Sequence, residues 1–581
     1  MKILLVHPED SLDSGPWTNH AWARVYDLGK GGAGSYERWT KQFRCPVAPI
    51  DLFRLGAEEF RHVRDVLAAG SGRLQDRENL DWWELTAILF HQQVETFGIL
   101  CRFVQSLGAA DEVYVTQPGF YSDALRLLVG NRLHCFPIRY SQKRGPRHYF
   151  RVASKFPLGQ LAEIAGDKFD AAYSLRRWLS PRREPSRKQV VLLPSAYVNV
   201  SRTGIAYAET IPETDFLLVA TRRSGWMAAL PANVTMAGLA SYARRNQAAQ
   251  DEYPELLAQW RALRRDLESV PEIVMLDRVG LLDSFPKLLR QGLGIRDAWS
   301  SVLNTEPVQA VLCADDSNPY SHIPLLLAAR RGLPAIACHH GALDGRHLIK
   351  RSHADVILAK GKMEEDYLVR ICGLPAEKVE IGAPVRQPRP HRRALDSVLP
   401  AWIVFFSEAY EGESGRGEEF YRDLLPPLAD LALQTGRKLV VKLHPFEGKR
   451  ERTSLLARLL TSSQLAVTTV MSGTLTPDLL HQTWFGITVL STVAVECAMH
   501  EIPCFLCPWL EYSPYGYIQQ FSRFGVGYVL QSPAEIPAIP RILETHLFQP
   551  DLGRDLWQPI APNRLEELLS GTRKRDRAMA V

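Results

Sequence analysis

The chain has 581 residues, of which 46% are hydrophobic and 23% are charged. This length exceeds what one hydrophobic core normally serves, so two or three domains are expected, and the composition excludes a disordered or low-complexity protein. The net charge of +5 is small for a chain of this size, and we therefore infer no nucleic-acid partner.

The N-terminal residues 1–7 form an apolar run that is too short for the hydrophobic region of a signal peptide, and acidic residues follow it directly. We interpret this run as a first β-strand. No stretch approaches the ~20 uninterrupted apolar residues that a membrane-spanning helix needs. We therefore expect a cytoplasmic protein. Local basic clusters such as Arg182 and Arg183 leave a peripheral association with the inner membrane face open.

Short apolar runs alternate with segments of helical period, a pattern typical of parallel βαβ units, and the predicted class is α/β. A long charged helix is predicted over residues 242–267. The glycines Gly29, Gly31 and Gly34 match G-x-G-x-x-G, but they follow a helical segment instead of a strand, so we interpret them as a helix end and turn. The strands predicted in the first part of the chain lie at 2–7, 112–116, 189–193, 216–220, 309–313, 335–338 and 356–358.

Two proline-rich stretches divide the chain. The second predicts an interdomain linker at 386–400, which separates an acceptor-side N-terminal α/β domain, 1–385, from a nucleotide-donor-binding C-terminal domain, 401–581. The first, near 180–188, suggests two subdomains within the N-terminal domain. The strands predicted in the C-terminal domain lie at 402–406, 438–443, 466–470, 485–490 and 503–506, as expected for a Rossmann-like domain.

Nine cysteines are scattered along the chain without a repeated metal-ligand spacing. The C-x-x-C pair, Cys504 and Cys507, lies in an apolar run where strand alternation would place the two sulfurs on opposite faces. We therefore expect reduced, buried thiols and no metal site.

A first candidate motif follows the strand predicted over 438–443. Ligands of Rossmann-like domains collect at the carboxyl ends of parallel strands, and Pro445 restricts His444 to an extended backbone. His444 can then hydrogen-bond a phosphate or a ribose, and Lys442 supplies positive charge nearby. A strand-end histidine packed in a loop is the alternative interpretation of this motif alone.

A second motif lies between the strand predicted over 485–490 and a predicted helix. Ser491 is a natural N-cap, and the two hydroxyls of Ser491 and Thr492, together with free backbone N–H groups and the helix dipole, suit a donor phosphate. Glu496, one turn further on, is a candidate for contact with a ribose or an acceptor. Ser407, after the first strand of the domain, is a candidate for contact with the donor diphosphate. A simply capped helix and an exposed carboxylate are the structural alternatives.

A third motif, His339-His340-Gly341, follows the strand predicted over 335–338. Strand geometry would point the two histidines to opposite faces, and Gly341 lets the backbone approach a ligand closely. A histidine that titrates near neutral pH can take the proton of an attacking hydroxyl, so His340 is the predicted catalytic base. Asp316, after the strand at 309–313, joins His339 and Gly341 as an acceptor-side candidate. A purely structural histidine pair remains open.

Together these motifs resemble the GT-B superfamily branch that contains the capsule Kdo and sialic-acid transferases and the CDP-glycerol glycerophosphotransferases. In that branch a His-Pro motif and a Ser-Ser or Ser-Thr motif bind the nucleotide, and these correspond here to His444-Pro445 and Ser491-Thr492. The branch also has an N-terminal His-Gly, which His340-Gly341 resembles. The resemblance covers roughly residues 309–530 and implies a GT-B architecture, with two Rossmann-like domains facing a cleft.

The resemblance implies a glycosyltransferase that moves a sugar from a nucleotide-activated donor to a surface polysaccharide or glycolipid acceptor. The nucleotide-sugar is then a substrate, and no cofactor is expected. No D-x-D follows an apolar strand, so metal-independent chemistry is expected. Two alternatives stay open: an isomerase like the UDP-GlcNAc 2-epimerases, and a catalytically silent GT-B protein that binds carbohydrate or an assembly partner.

Overall fold

The structure, a computed structural model, forms two compact units. Unit 1 consists of Met1–Glu58, Glu95–Ile138 and Pro388–Leu556, and unit 2 consists of Glu59–Val94, Arg139–Gln387 and Trp557–Val581. The residues that the structure describes are 1–6, 20–27, 43–49, 57–116, 120–136, 184–243, 247–317, 319–385, 401–408, 417–444, 447–473, 475–511, 515–546 and 551–571.

Unit 1 contains a first parallel sheet near the N-terminus, with the strand order β3-β2-β1-β4-β5 among the described residues. A small aromatic and aliphatic core, which includes Trp22, Val25 and Phe136, packs against it. This sheet comprises β1 (Lys2–Val6), β2 (Arg24–Asp27), β3 (Val47–Pro49), β4 (Glu112–Val115) and β5 (Leu133–Cys135).

Unit 2 contains a seven-stranded parallel sheet of order β12-β11-β10-β9-β6-β7-β8. Its central strands are continuous apolar runs with every residue buried, as expected when helices cover both faces of a parallel sheet. The strands are β6 (Val190–Ser195), β7 (Phe216–Ala220), β8 (Val234–Gly238), β9 (Val308–Cys313), β10 (Ala335–Cys338), β11 (Val356–Ala359) and β12 (Val379–Ile381).

The second sheet of unit 1 is also parallel and has the order β15-β14-β13-β16-β17-β18. Numbered from its own first strand, this is the order 3-2-1-4-5-6 of a Rossmann fold, and the sheet of unit 2 follows the same rule with one further strand. The strands are β13 (Trp402–Phe406), β14 (Lys438–Lys442), β15 (Thr468–Met471), β16 (Thr483–Thr488), β17 (Cys504–Leu506) and β18 (Tyr528–Val529).

Helices connect the strands and cover the sheets. In the described part of the chain the α-helices are α1 (Ala57–Ala68), α2 (Trp82–Ala87), α3 (His91–Gln105), α4 (Phe120–Val129), α5 (Val198–Thr210), α6 (Gln247–Asp266), α7 (Pro271–Arg278), α8 (Phe285–Thr305), α9 (Pro319–Arg330), α10 (Lys362–Asp366), α11 (Gly417–Thr435), α12 (Lys449–Leu459), α13 (Ser462–Ala466), α14 (Pro477–Gln482), α15 (Val493–Met499), α16 (Tyr517–Arg523), α17 (Ile539–Thr545) and α18 (Pro562–Ser570). Within these residues no helix has the length and apolar content needed to cross a membrane.

The C-terminal helix α18 packs in unit 2. Its residues Leu565, Leu568 and Leu569 join the buried core of the seven-stranded sheet. The preceding residues are also tied to this unit, because the N–H of Ala383 donates to the carbonyl of Gln558 at 2.8 Å. The sequence predicts a C-terminal domain over 401–581, whereas burial of the apolar face of α18 assigns residues 557–571 to unit 2.

Residues 59–94 also belong to unit 2, although they precede β4 of the other unit in the chain. The fully buried guanidinium of Arg296 on α8 forms ion pairs with Asp76 and Glu252 at 2.8 Å and with Asp297 at 2.7 Å. Trp82 of α2 packs flat on the same helix, where a Cβ at Gly292 would lie 2.1 Å from the indole ring. A buried charge network and close aromatic packing therefore fix residues 59–94 against the helices α6 and α8 of unit 2.

The predicted α/β class with Rossmann-like sheets is confirmed, and each predicted strand overlaps an observed one. All nine cysteines are free thiols; six are buried, as expected, and Cys45, Cys101 and Cys135 are half-buried. The region 1–385 contributes to both units, because β5 belongs to unit 1 and β6 to unit 2. The break predicted near 180–188 stays a prediction, since the change of unit comes after Ile138 and residues 137–183 lie outside the described residues. The linker at 386–400, the glycine motif at 29–34 and the basic residues Arg182 and Arg183 lie outside the described residues. The prediction that a helical segment precedes the glycine motif is wrong, because Arg24–Asp27 form the strand β2, which pairs with β1 and β3.

Candidate functional site

The strand order of unit 2 reverses between β6 and β9, and this switch point is where ligands collect in Rossmann-like sheets. Tyr197 follows β6 and Asp315 follows β9. The Tyr197 hydroxyl donates to Oδ2 of Asp315 at 2.8 Å, and Oδ1 of Asp315 accepts the backbone N–H of Ser317 at 3.0 Å. The buried carboxylate of Asp315 is therefore held in one orientation at the carboxyl edge of the sheet.

His340, the predicted base, lies beside this pair. The rings of Tyr197 and His340 meet edge to face, with centroids 5.3 Å apart, and the Tyr197 hydroxyl lies 3.3 and 3.4 Å from the two ring nitrogens. Burial lowers the pKa of His340, an effect that the nearby carboxylate of Asp315 opposes. A half-buried imidazole that is neutral at neutral pH can accept a proton from a hydroxyl.

A lysine holds the turn that carries the two histidines. The ammonium of Lys360, directly after β11, donates to the carbonyl of His339 at 2.5 Å and to that of Gly341 at 2.7 Å. Nδ1 of His339 accepts the N–H of Gly341 at 3.2 Å, and burial lowers the pKa of His339. His339 is therefore occupied within the turn, which leaves His340 as the histidine beside Tyr197.

The expectation that the two histidines point to opposite faces is wrong. Their ring centroids lie 4.4 Å apart at an angle of 51°. Strand β10 ends at Cys338, so His339 and His340 lie in the turn beyond it, where strand alternation no longer applies.

Asp316 points away from Asp315 into a buried charge cluster. The ammonium of Lys350 donates to Oδ1 of Asp316 at 2.5 Å, to Oδ2 of Asp344 at 2.9 Å and to the hydroxyl of Ser317 at 2.7 Å. Asp316, Asp344 and His347 have ligand atoms close enough together to hold a metal ion. Lys350 already bridges the two carboxylates, and its positive charge is a main cause of the lowered pKa of Asp316, to about 2, against the opposing effect of burial.

A pocket of about 400 Å³ adjoins Tyr197 and Asp315. Its lining combines an apolar wall from the helical segments with two arginines, Arg222 after β7 and Arg346 after β10. The remaining lining residues are Trp82, Leu85, Thr86, Leu89, Leu288, Gln291, Gly292, Ile295, Ser317, Tyr320 and Ile323. Pockets of this size accommodate small ligands.

In unit 1, the strand order of the second sheet reverses between β13 and β16. Glu408, directly after β13, is buried, and its Oε1 accepts from the hydroxyl of Thr488 at 2.9 Å and from the N–H groups of Val489 and Leu490 at 3.1 Å. One carboxylate therefore shapes the loop that leads from β16 to Ser491 at the switch point of this sheet.

The predicted donor residues on the other side of this switch point are partly engaged by the protein. Ser407 is buried, and its hydroxyl lies 2.8 Å from that of Tyr421. The ammonium of Lys442 donates to the carbonyl of Gly473 at 2.6 Å, and burial lowers its pKa. These two side chains hold the loops in place and do not project freely from the sheet.

His444 is half-buried, and burial lowers the pKa of its imidazole. Its backbone N–H donates to Oε2 of Glu447 at 3.0 Å, and Glu447 is held in turn by Arg452, whose Nε donates at 2.9 Å. Pro445 lies outside the described residues. The orientation of the His444 loop is thus set by a buried Glu447–Arg452 ion pair.

Ser491 and Thr492 precede α15. The helix begins after Thr492, so Thr492 and not Ser491 occupies the N-cap position, while the hydroxyl of Ser491 accepts the N–H of Val493 at 3.3 Å. Both residues are half-buried, and Glu496 is exposed on the helix. The two hydroxyls and Glu496 therefore remain accessible from the carboxyl edge of the sheet.

Several residues at the two switch points were not singled out in the sequence. Tyr197, Lys360 and Glu408 each directly follow a strand or come within two residues of its end, which is the signal that identified the other candidates. Lys350 and Glu447 carry no such signal, because they act through contacts made within loops.

The comparisons with known proteins give structural matches only. No protein-family profile and no curated protein sequence matches the chain. The UDP-GlcNAc 2-epimerase of Methanocaldococcus jannaschii, solved with UDP-GlcNAc and UDP, matches with a TM-score of 0.38 and 9% identity, over 68% of this chain and 99% of that chain. MurG of Acinetobacter baumannii matches with a TM-score of 0.36 and 12% identity, over 67% and 99% of the respective chains. The calicheamicin glycosyltransferase matches with a TM-score of 0.35 and 16% identity, over 68% and 98%.

Proposed function

We propose that the protein is a GT-B glycosyltransferase that moves a sugar from a nucleotide-activated donor to a carbohydrate or glycolipid acceptor. The observation that carries the proposal is the placement of His340, whose pKa is lowered mainly by burial, beside Tyr197 and Asp315 at the switch point of unit 2. A neutral histidine next to a fixed carboxylate is suited to general base catalysis.

In the proposed reaction, His340 takes the proton of an acceptor hydroxyl. The acceptor oxygen then forms a bond to the anomeric carbon of the donor sugar, and the bond from that carbon to the donor phosphate breaks, so that the nucleotide leaves with the electron pair. The carboxylate of Asp315 favours the imidazolium that forms on His340. No step is assigned to a metal ion or a cofactor.

Donor binding is assigned to unit 1. His444, Ser491 and Thr492 are half-buried at the carboxyl edge of a Rossmann-ordered sheet, where their polar groups suit phosphate and ribose oxygens. Lys442 and Ser407 are proposed to position the neighbouring loops, because their polar atoms already bond within the protein. Glu496, which is exposed one turn beyond Thr492, is proposed to contact the ribose.

The acceptor class is proposed from the resemblance of His444-Pro445, Ser491-Thr492 and His340-Gly341 to the surface-polysaccharide transferases. The acceptor is therefore proposed to be a growing bacterial surface polysaccharide or its glycolipid precursor. This assignment also implies that the protein acts at the inner face of the membrane.

A calorimetric titration of the full-length protein with CMP, CDP and UDP tests the assignment of the donor site. At least one nucleotide is expected to bind. His444→Ala should lower its affinity by about tenfold or more, since a hydrogen bond to a charged group is worth about 1.5–3 kcal/mol. His481→Ala removes an exposed histidine from α14 of the same unit and is the matched control. Absence of binding at millimolar concentration, together with no effect of His444→Ala, would leave only the catalytically silent alternative.

A further inference from the structure

We propose that the pocket of about 400 Å³ in unit 2 binds an anionic sugar unit of the acceptor, a pyranose that carries a carboxylate or a phosphate. The inference rests on the proposed function, because it names the acceptor class for the base His340. It goes beyond that function in assigning a subsite, a charge preference and the residues that produce the preference.

The charge preference comes from two arginines in the lining, Arg222 and Arg346. Arg222 is half-buried, with its guanidinium 5.0 Å from the centre of the Tyr320 ring, and among the described residues no carboxylate lies within ion-pair distance of it. A guanidinium stacked on an aromatic ring presents its N–H groups in a planar fork, which matches a carboxylate or phosphate in a bidentate manner.

The carboxylate in the lining does not cancel this preference. Both oxygens of Asp315 already accept hydrogen bonds, from the Tyr197 hydroxyl and from the Ser317 N–H. The lining contains one carboxylate and two arginines, and of these Arg222 has no carboxylate within ion-pair distance in the described part of the chain. An anion at the arginines is therefore favoured, while Asp315 can accept a further hydrogen bond from a sugar hydroxyl.

The opposite wall is apolar and held in place. Trp82 is fixed by the hydrogen bond from its Nε1 to Oδ2 of Asp76 at 2.9 Å and by its close packing on Gly292. Leu85 and Ile295 extend the wall, and Leu89 lies at its exposed end. Sugar rings have an apolar face of C–H groups that packs on such a surface, and a preformed wall reduces the entropy lost on binding.

The pocket is also placed for catalysis. Tyr197 belongs to its lining and touches the ring of His340. A pyranose held between the arginines and the apolar wall therefore has a hydroxyl beside the Tyr197–Asp315 pair, and the proposed base lies on the Tyr197 side of this pair. The two halves of the lining thus account for recognition of the charge and of the ring.

The test is ligand-observed NMR on the full-length protein without nucleotide, using methyl β-D-glucuronide, glucose 6-phosphate and neutral methyl β-D-glucoside. We expect at least one charged probe to bind and the neutral probe to bind more weakly. Binding of the glucuronide alone identifies a carboxylate ligand, and binding of the sugar phosphate alone identifies a phosphate ligand. Failure of both charged probes to bind at millimolar concentration, or equal binding of the neutral probe, overturns the proposal.

Two variants localise the binding. Arg222→Gln should lower the affinity for the charged probe by about tenfold or more, because it removes a charge-assisted hydrogen bond. Leu89→Glu should also lower the affinity for the charged probe, because the new carboxylate repels it. Leu89 is exposed in the pocket, so this change is not expected to disturb folding. The matched control Arg223→Gln removes the same charge one residue away from the lining and should change binding less than twofold, about the scale of a surface charge effect.

Equal losses in Arg222→Gln and Arg223→Gln would overturn the assignment of this pocket, as would unchanged binding in Leu89→Glu. Because the assay contains no donor, these outcomes are separate from the calorimetric test of nucleotide binding. Probe binding without nucleotide binding would contradict the proposed function, and nucleotide binding without probe binding would contradict only this inference.

Discussion

The hydroxyl of Tyr197 donates to Oδ2 of Asp315 at 2.8 Å while the Tyr197 ring meets the imidazole of His340 edge to face. The three residues follow β6, β9 and β10, and so the sheet topology of unit 2 brings Tyr197 beside two residues that lie 118 and 143 positions further along the chain. The Tyr197 hydroxyl lies 2.8 Å from the carboxylate and 3.3 Å from the nearer imidazole nitrogen, so a change at Tyr197 is expected to alter the effect of Asp315 on the pKa of His340.

The first prediction concerns the pH dependence of transfer. Burial lowers the pKa of His340 below the ordinary value of 6.5, so the neutral base persists below pH 6.5 and is lost as the pH falls through the lowered pKa. Tyr197→Phe removes the hydrogen bond to Asp315, whose charge then acts more strongly on the imidazole and raises its pKa. The acidic limb of the kcat/KM profile should move to higher pH in this variant. An unchanged limb would show that Tyr197 does not tune His340.

The second prediction concerns Glu408 in unit 1. Glu408→Ala removes the acceptor for Thr488 and for the N–H groups of Val489 and Leu490, which leaves the loop before Ser491 without its anchor. Nucleotide affinity, measured by calorimetry, should fall about tenfold, in line with the loss of a charged hydrogen-bond acceptor. Glu408→Gln keeps an accepting oxygen and should retain most of the affinity. Equal losses in the two variants would contradict this role.

The third prediction concerns the buried ion pairs of Arg296. Arg296→Ala leaves Asp76 buried without a counter-charge and leaves Asp297 with only the exposed Arg77 at 3.8 Å, so the free energy of unfolding should fall by about 3–5 kcal/mol. Arg290→Ala, on the same helix but exposed and packed on the ring of Tyr253, should cost less than about 1 kcal/mol. Urea unfolding followed by tryptophan fluorescence measures both changes. If the two variants lost similar amounts of unfolding free energy, the ion pairs of Arg296 would not be a main source of stability.

The fourth prediction concerns stability in mild acid. Burial lowers the pKa of His322 to about 4, and its buried Nε2 has no hydrogen-bond partner among the described residues. Between pH 6.5 and about 4 the unfolded chain binds a proton that the folded protein excludes, so stability falls as the pH decreases and the loss is complete near pH 4. The contribution approaches about 1.4 kcal/mol per pH unit.

His322→Gln should flatten this dependence in urea unfolding measured from pH 7 to pH 4.5. The matched control His481→Gln replaces an exposed histidine of α14 and should leave the slope unchanged. A slope that survives in His322→Gln would mean that other buried histidines account for the acid sensitivity.

The sequence predicted the interior of each sheet better than its edges. The long apolar strands such as β6 and β7 are buried on both faces, and their composition therefore signals them directly. Six strands were not predicted. Five of them, β3, β5, β8, β12 and β18, are edge strands of two to five residues, in which one side lacks a partner and the apolar run is short. The sixth, β2, is an interior strand of four residues in a segment that was predicted to be helical. Short edge strands carry little local signal, because pairing with the neighbouring strand stabilises them.

The sequence also could not show which segments far apart in the chain pack together. Membership of residues 59–94 in unit 2 depends on contacts such as Asp76 with Arg296, which are 220 positions apart. The return of α18 to the seven-stranded sheet depends on an apolar helical face that can pack on any sheet. For the site, the strand-end rule predicted His340 and Ser491 as candidates, but it could not tell that Asp315 and not Asp316 would lie close to His340. That choice depends on the buried ion pair between Lys350 and Asp316.

The most direct test of the account is a transfer assay with a panel of CMP-, CDP- and UDP-activated sugars, in the presence and absence of a polysaccharide or glycolipid acceptor. The account predicts nucleotide release that requires the acceptor, and a fall in kcat of about 10²–10⁴-fold in His340→Gln with unchanged nucleotide affinity, since loss of a general base has this size. Conversion of UDP-GlcNAc to an isomer without any acceptor, or transfer that persists at the wild-type rate in His340→Gln, would contradict it.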